Sequence, residues 1–339
     1  MKELKVEEAV GEVLAHDITE IKPEVKKGPA FKKGDIIKEE DIPKLLDLGK
    51  RHIYIMENSE DKLHENQAAR RLAALARGEG LTATEPSEGK INLLAAKSGL
   101  LKVDKERLKA LNMEPGIIMA TRQNNTPVEK GDKVAGTRVI PLLIEEEKII
   151  DAEGKTGDEP LLTVKDLKVL RTAVITTGSE VYQGRIEDQF TDVIVEKVEG
   201  VNGEVIKTEI KPDDRESIEN SIVEALDDDS NLVICTGGMS VDPDDVTKDA
   251  IENQADEIIT YGAPVLPGAM FMLAYAGEVP IVGLPACAMF SEITVFDLML
   301  VRLAAGEKIS AEEIAAAGHG GLCLGCENCR YPDCSFGKV

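Results

Sequence analysis

Two stretches of this chain share one pattern, in which an apolar run stops at Thr-Gly and gives way to polar residues. In the first, Val174-Ile175-Thr176-Thr177 leads into Gly178-Ser179-Glu180. In the second, Leu232-Val233-Ile234-Cys235 leads into Thr236-Gly237-Gly238, then Ser240 and the acids Asp242, Asp244 and Asp245. Each reads as strand, glycine turn, helix. Glycines at such a turn let backbone N–H groups approach a ligand closely, and a helix N-terminus beyond them favours an anion. The neighbouring carboxylates suit a divalent cation. The same residues also suit a plain strand-to-helix turn in which an Asp caps the helix.

The segments around these turns continue the alternation. Strands are expected at 169–176, 203–210, 232–235 and 279–282, with an extended piece at 258–261. Helices are expected at 185–197, 214–226, 245–255 and 289–303, where apolar residues recur at helical spacing, as in Ile218, Ile222, Val223 and Leu226. Such alternation defines an α/β fold with a mostly parallel sheet and right-handed crossovers. Ligands in such sheets sit beyond the carboxyl ends of strands, where both Thr-Gly turns lie.

Four motifs in order make the pattern specific: TTGSE (176–180), GRIEDQ (184–189), TGGMSVDPDDVT (236–247) and GLP (283–285). Together they resemble the molybdopterin-binding domain shared by molybdopterin adenylyltransferases and molybdopterin molybdenumtransferases. The resemblance implies a three-layer α/β domain, a phosphate-bearing pterin substrate, Mg²⁺ and a homodimer. It carries over to Asp245 as the acid that closes the GGxSxxxxD pattern, Asp188 as the acid of G-x-I-x-D, and Glu180 as the acid after the first turn. Thr177, Gly178, Ser179, Gly237, Gly238, Ser240 and Pro285 match positions around the pterin phosphate, and Asp242 is a further candidate metal ligand. The implied reaction is insertion of molybdate into adenylylated molybdopterin with release of AMP. Adenylyl transfer to molybdopterin, and a non-catalytic pterin carrier or sensor, are the alternatives; a related domain in nucleotide-processing hydrolases is a third.

Several positions depart from the molybdenumtransferase pattern. Ser179 stands where TGDE has its acid, and Phe190 replaces an asparagine. The PGKP loop is Pro267-Gly268-Ala269-Met270, without its lysine, and the LPG loop is Leu284-Pro285-Ala286-Cys287-Ala288. No SMDGYA-like segment is present. A lost lysine removes a cationic contact, and alanine for glycine crowds a close backbone approach.

Upstream, residues 1–60 read as a small module resembling the N-terminal region of molybdenumtransferases, with a short amphipathic segment at 9–18. Lys22, Lys26, Lys27, Lys32 and Lys33 form a basic cluster there. Residues 61–160 read as a mixed α/β module: a helix at 62–77 closed by a left-handed Gly78, β-like runs at 116–121, 125–144 and 148–151, and a linker at 151–160. The large domain is expected over 161–310. A net charge of −23 and 3% aromatic residues exclude a nucleic-acid or anionic-membrane partner. The most apolar region, 279–305, is broken by Pro285, Glu292, Asp297 and Arg302 and reads as core. Met1 opens a charged segment without a signal core, so a cytoplasmic location is expected.

Two of the six cysteines, Cys235 and Cys287, end apolar strands and read as small buried residues, Cys287 being the one within reach of a ligand. The other four, Cys323, Cys326, Cys329 and Cys334, form a C-x-x-C-x-x-C-x4-C array in a tail, 311–339. That density points to metal rather than disulfides. Zn²⁺ and an iron–sulfur cluster both remain open: the first three match a ferredoxin run, but Pro332 precedes the last cysteine instead of following it. His319 is a further candidate ligand. A docking role toward a molybdenum-enzyme client is the alternative for this tail.

Overall fold

The computed structural model describes residues 2–22, 26–56 and 61–337. The chain divides into two compact units. One comprises Met1–Ala96, Val103–Arg122 and Gly131–Thr163; the other comprises Lys97–Lys102, Gln123–Lys130 and Val164–Val339.

In the first unit, the strands Lys2–Lys5 and His52–Ile55 pair antiparallel around a core that includes Val6, Leu14, Ile18, Phe31, Leu45 and Ile53. The segment 9–18 is not a helix; Val13 and Leu14 make isolated bridges while Leu14 and Ile18 are buried. The side chains of Lys22, Lys26 and Lys27 lie outside the described residues, so the basic cluster is not described as a whole. A four-stranded antiparallel sheet follows, ordered Leu81–Ala83, Lys90–Ala95, Lys133–Val139, Ile117–Thr121.

The helix expected at 62–77 begins later, at Glu65, because the His64 ring Nδ1 accepts from Asn66 N at 3.1 Å and residues Lys62–His64 form a strand. Its end also differs. Gly78 is not left-handed; it donates its N–H to Leu162 O, which a Cβ at Gly78 would meet at 2.5 Å. The apolar pair at 148–151 lies in the helix Glu146–Thr156, with Ile149, Ala152 and Thr156 buried on one face.

The second unit carries a six-stranded sheet ordered Gly203–Lys211, Leu170–Thr177, Leu232–Thr236, Val279–Leu284, Met272–Ala276, Glu257–Tyr261. The first three pairings are parallel, and Met272–Ala276 is antiparallel to both of its neighbours. Alternate side chains of the central strands enter two cores. Val174, Ile234 and Val282 pack with Ile194, Phe296 and Leu300 on one face; Ile175, Val233 and Ile281 pack with Ile218, Ile222 and Ile251 on the other. The result is the expected three-layer α/β domain.

Two helix starts in this unit are set by side-chain acceptors. Asp188 Oδ1 accepts from Phe190 N at 2.8 Å and Thr191 N at 3.3 Å, so the helix expected at 185–197 is Phe190–Glu199, preceded by a short turn of helix at Ser179–Tyr182. The closing helix is split into Cys287–Phe290 and Val295–Ala304 by a capping box of Thr294 and Asp297. Strand Met272–Ala276, where no element is expected from the sequence, turns through Gly277 (φ +56°) into Val279–Leu284 as a hairpin.

Candidate functional site

Three adjacent parallel strands end in register: Thr176 lies opposite Thr236, and Thr236 opposite Leu284. Gly178, Gly237 and Pro285, the residues that follow, therefore emerge at one edge of the sheet. The chain leaves Leu170–Thr177 toward Gly203–Lys211 on one side and returns to Leu232–Thr236 on the other, so this edge is a topological switch point.

The two Thr-Gly turns are locked together. The buried Thr177 hydroxyl donates to Thr236 O at 3.0 Å and lies 2.9 Å from the Thr247 hydroxyl. Gly237 (φ +81°) is pressed so closely on Thr177 that a Cβ there would stand 2.2 Å from its carbonyl oxygen, and one on Gly238 (φ +53°) would stand 2.5 Å from Thr247 Oγ1. Only glycine satisfies both the left-handed backbone and the missing space. Asp245 does not cap the helix Thr247–Gln254, which has no side-chain cap. Its Oδ2 instead accepts from Ser240 N at 2.8 Å, and its own N–H donates to Asp242 O at 3.0 Å, which closes the 240–245 loop. Tyr261, at the end of the edge strand Glu257–Tyr261, donates its hydroxyl to Met239 O at 3.0 Å. Burial pushes the Tyr261 phenol up, Lys248 above its ring opposes that, and the Asp245 carboxylate adds to it.

Beyond this edge lies a cavity of about 540 Å³. Gly237, Gly238, Ser240, Asp245 and Pro285 all line it, with Cys287 as a further wall residue. Met239, Leu266 and Met270 supply apolar wall, of which Leu266 lies outside every motif seen in the sequence. They come from two loops, Met239 from the turn after Leu232–Thr236 and Leu266 and Met270 from the loop around Pro267-Gly268. Asp245 is the one charged side chain in the lining; among the described residues there, no Lys, Arg or His occurs.

The other candidate residues have different surroundings. Gly178, Ser179 and Glu180 do not line the cavity. Ser179 N donates to Asp213 Oδ2 at 2.8 Å, and Glu180 is exposed on its short helix. Asp188 is spent on structure, since its Oδ2 also accepts from the Thr176 hydroxyl at 3.3 Å. Asp242 is exposed, outside the lining, with Oδ1 accepting from Asp244 N at 3.0 Å. Cys235 is fully buried, and burial pushes its thiol up to about 12. Burial also raises the half-buried Cys287 thiol.

The tail cysteines line a second cavity, of about 340 Å³. All are free thiols; Cys323 and Cys334 are half-buried against the core and Cys326 and Cys329 exposed. Among the described residues, no three His, Cys, Asp or Glu side chains are grouped to hold a metal ion as they stand. His319 is exposed. Among the described residues no helix is long and apolar enough to cross a membrane.

Fold and site together define a three-layer α/β domain with a glycine-turn ligand cavity at its switch point. Residues 173–305 match the family described as "Probable molybdopterin binding domain", so the recognition made from the four motifs holds for this domain. Residues 3–57 match a separate family, a domain of unknown function (DUF8806). Among curated proteins the chain is similar to a CinA-like protein of Amoebophilus asiaticus, 31% identical over 87 residues, 26% of this chain and 21% of that one. A molybdopterin adenylyltransferase of Pyrococcus furiosus is 27% identical over 95 residues, 28% of this chain and 56% of that one. The chain thus spans about a fifth of the CinA-like relative and little over half of the adenylyltransferase. Among solved structures, MoaB from Thermus thermophilus is 20% identical, with 41% of this chain and 98% of that one covered and a TM-score of 0.35. The tungsten cofactor synthesizing protein MoaB from Pyrococcus furiosus is also 20% identical, with 40% and 92% covered and a TM-score of 0.33.

Proposed function

We propose that the cavity at Gly237 and Asp245 binds molybdopterin and that the protein serves molybdenum-cofactor biosynthesis by inserting molybdate into adenylylated molybdopterin with release of AMP. The observation that carries this reading is the convergence of both glycines, the Ser240 hydroxyl and the Asp245 carboxylate on one cavity at the switch point. Backbone N–H groups at Gly237 and Gly238 would take the pterin phosphate, and Met239, Leu266 and Met270 would cover the ring. Mg²⁺ fits as an ion held by one carboxylate, Asp245, together with substrate phosphates, since Asp245 has one oxygen beyond the one bonded to Ser240 N. It would offset charge building on the leaving phosphate, while the chain's residues position the substrate.

A second reading is favoured by the lining itself. With no cationic side chain in the described lining, a dianionic phosphate is held by backbone dipoles and the added ion alone, which suits a pterin carrier better than a catalyst of phosphoryl chemistry. The adenylyltransferase relative keeps adenylyl transfer to molybdopterin as a third outcome.

Anaerobic incubation with adenylylated molybdopterin, Mg²⁺ and molybdate separates these. Molybdate-dependent AMP release that disappears in Asp245→Ala supports molybdate insertion. Tight pterin binding without AMP release leaves the carrier, and formation of an AMP adduct from molybdopterin and ATP indicates the adenylyltransferase.

A further inference from the structure

We infer that Cys323, Cys326, Cys329 and Cys334 form a thiolate centre for a soft metal, and that this centre braces one wall of the Asp245 cavity. All four line a single cavity, shared with Arg330, Tyr331 and the buried Phe336. The segment that carries them, 320–337, contains no helix or strand, yet its ends are tied by Gly337 N donating to Gly320 O at 3.0 Å. Phe336 is 3% exposed in the main core, which pins the far end. An irregular loop with four free thiols and few apolar anchors is the kind of segment that metal ligation holds in place.

Among the described residues no three of these thiols are grouped as they stand, so ligation requires this loop to draw its cysteines together. Gly325 (φ +63°), between Cys323 and Cys326, holds a left-handed turn that glycine adopts without strain. Cys323 and Cys334, packed against the core, form the fixed side, and the exposed Cys326 and Cys329 would turn inward to complete the set. Arg330 in the same lining offsets the negative charge of clustered thiolates.

The link to the other cavity is direct. Leu266 N donates to Gly321 O and Cys323 N donates to Leu266 O, both at 2.8 Å. Leu266 lines the Asp245 cavity, and Pro267 lines both cavities. Metal bound by Cys323 therefore holds the Leu266–Pro267 wall, whatever occupies the cavity beyond it.

The test uses the full chain, purified anaerobically, reduced and stripped of metal. Co²⁺ is titrated as a spectroscopic probe, with Zn²⁺ displacement in one arm and reconstitution with Fe³⁺, sulfide and a thiol reductant in the other. We expect a near-ultraviolet thiolate-to-cobalt band that saturates at one ion per chain, lost when Cys326→Ser and Cys329→Ser are combined and kept in Cys287→Ser. Displacement by one Zn²⁺ identifies a structural zinc site, whereas visible absorption with bound iron and acid-labile sulfide identifies a cluster; either supports the centre. Loading should also slow hydrogen exchange at the Leu266 and Cys323 amides. The inference is overturned if no thiolate band forms with either metal, if the double variant binds metal as the parent does, or if loading leaves those amides unchanged. Circular dichroism on the double variant confirms that it folds.

Discussion

The Thr177 and Thr247 hydroxyls lie 2.9 Å apart at the junction of the two glycine turns, one at the end of a parallel strand and the other at the first residue of the helix after the neighbouring turn. Because the Thr177 proton goes to Thr236 O, Thr247 is the donor within the pair. Thr177→Val removes the side-chain donor to the Thr236 carbonyl and the acceptor of the Thr247 hydroxyl, whereas Thr247→Val removes only a donor. Denaturant unfolding should therefore show a loss of about 1–3 kcal/mol for Thr177→Val and roughly 1 kcal/mol for Thr247→Val. Equal losses would mean that the donor order is reversed.

Gly237→Ala tests the same junction from the backbone side. The variant places a Cβ on the Thr177 carbonyl and asks alanine to hold φ +81°. Left-handed strain of about 1–2 kcal/mol adds to an overpacking cost of roughly 1–3 kcal/mol. The expected result is a lower unfolding midpoint and pterin binding weakened at least tenfold. Unchanged binding by isothermal titration would show that the turn does not approach the ligand.

Glu307 supplies an acid-sensitive tie in the same unit. Burial alone would raise its carboxyl, but hydrogen bonds from Lys102, Arg302 and Lys165 overcome this and hold it at about 2, against an ordinary 4.5. Lys102 is itself pushed down by burial despite this contact, so the acid limb is where the cluster shows. A depressed acid stabilises the fold above its unfolded value and loses that contribution as pH falls from 4.5 toward 2. At neutral pH the contribution is about 3 kcal/mol. Unfolding of parent and Glu307→Gln compared between pH 7 and pH 3 should show a gap that narrows on acidification; a constant gap would rule out titration of Glu307 as its source.

Much of this architecture was legible because βα units are local. Val174 to Thr177 and Leu232 to Thr236 announce strand, turn and helix within a few residues, and the parallel sheet follows from their alternation. Elements set by tertiary context were not legible. Ile149 and Ile150 read as a strand until Ile149, Ala152 and Thr156 are seen sharing one buried helical face. The run Met272–Ala276 carries no alternation because both its faces are buried, and Gly277 was the only signal of its hairpin. At the site, Asp245, Gly237 and Gly238 could be read from one contiguous motif. Asp188 could not be separated from its capping role, since the same spacing serves either, and Leu266, outside every motif, reaches the cavity only through the fold.

The charge and the shape of Asp245 can be separated by experiment. Its Oδ2 holds Ser240 N at 2.8 Å, so Asp245→Asn, with its amide oxygen turned to that N–H, keeps the loop but removes the charge, while Asp245→Ala removes both. If Asp245 acts by holding Mg²⁺ against substrate phosphate, Asp245→Asn should bind pterin within a few-fold of the parent yet release AMP on the order of 10²–10³ times more slowly. Asp245→Ala should lose pterin affinity as well, because the 240–245 loop opens beside the phosphate. Comparing binding with single-turnover AMP release in the three proteins decides between the roles. Asp245→Asn turning over at the parental rate would exclude the charge, and equal loss of affinity in both variants would show that Asp245 serves binding alone.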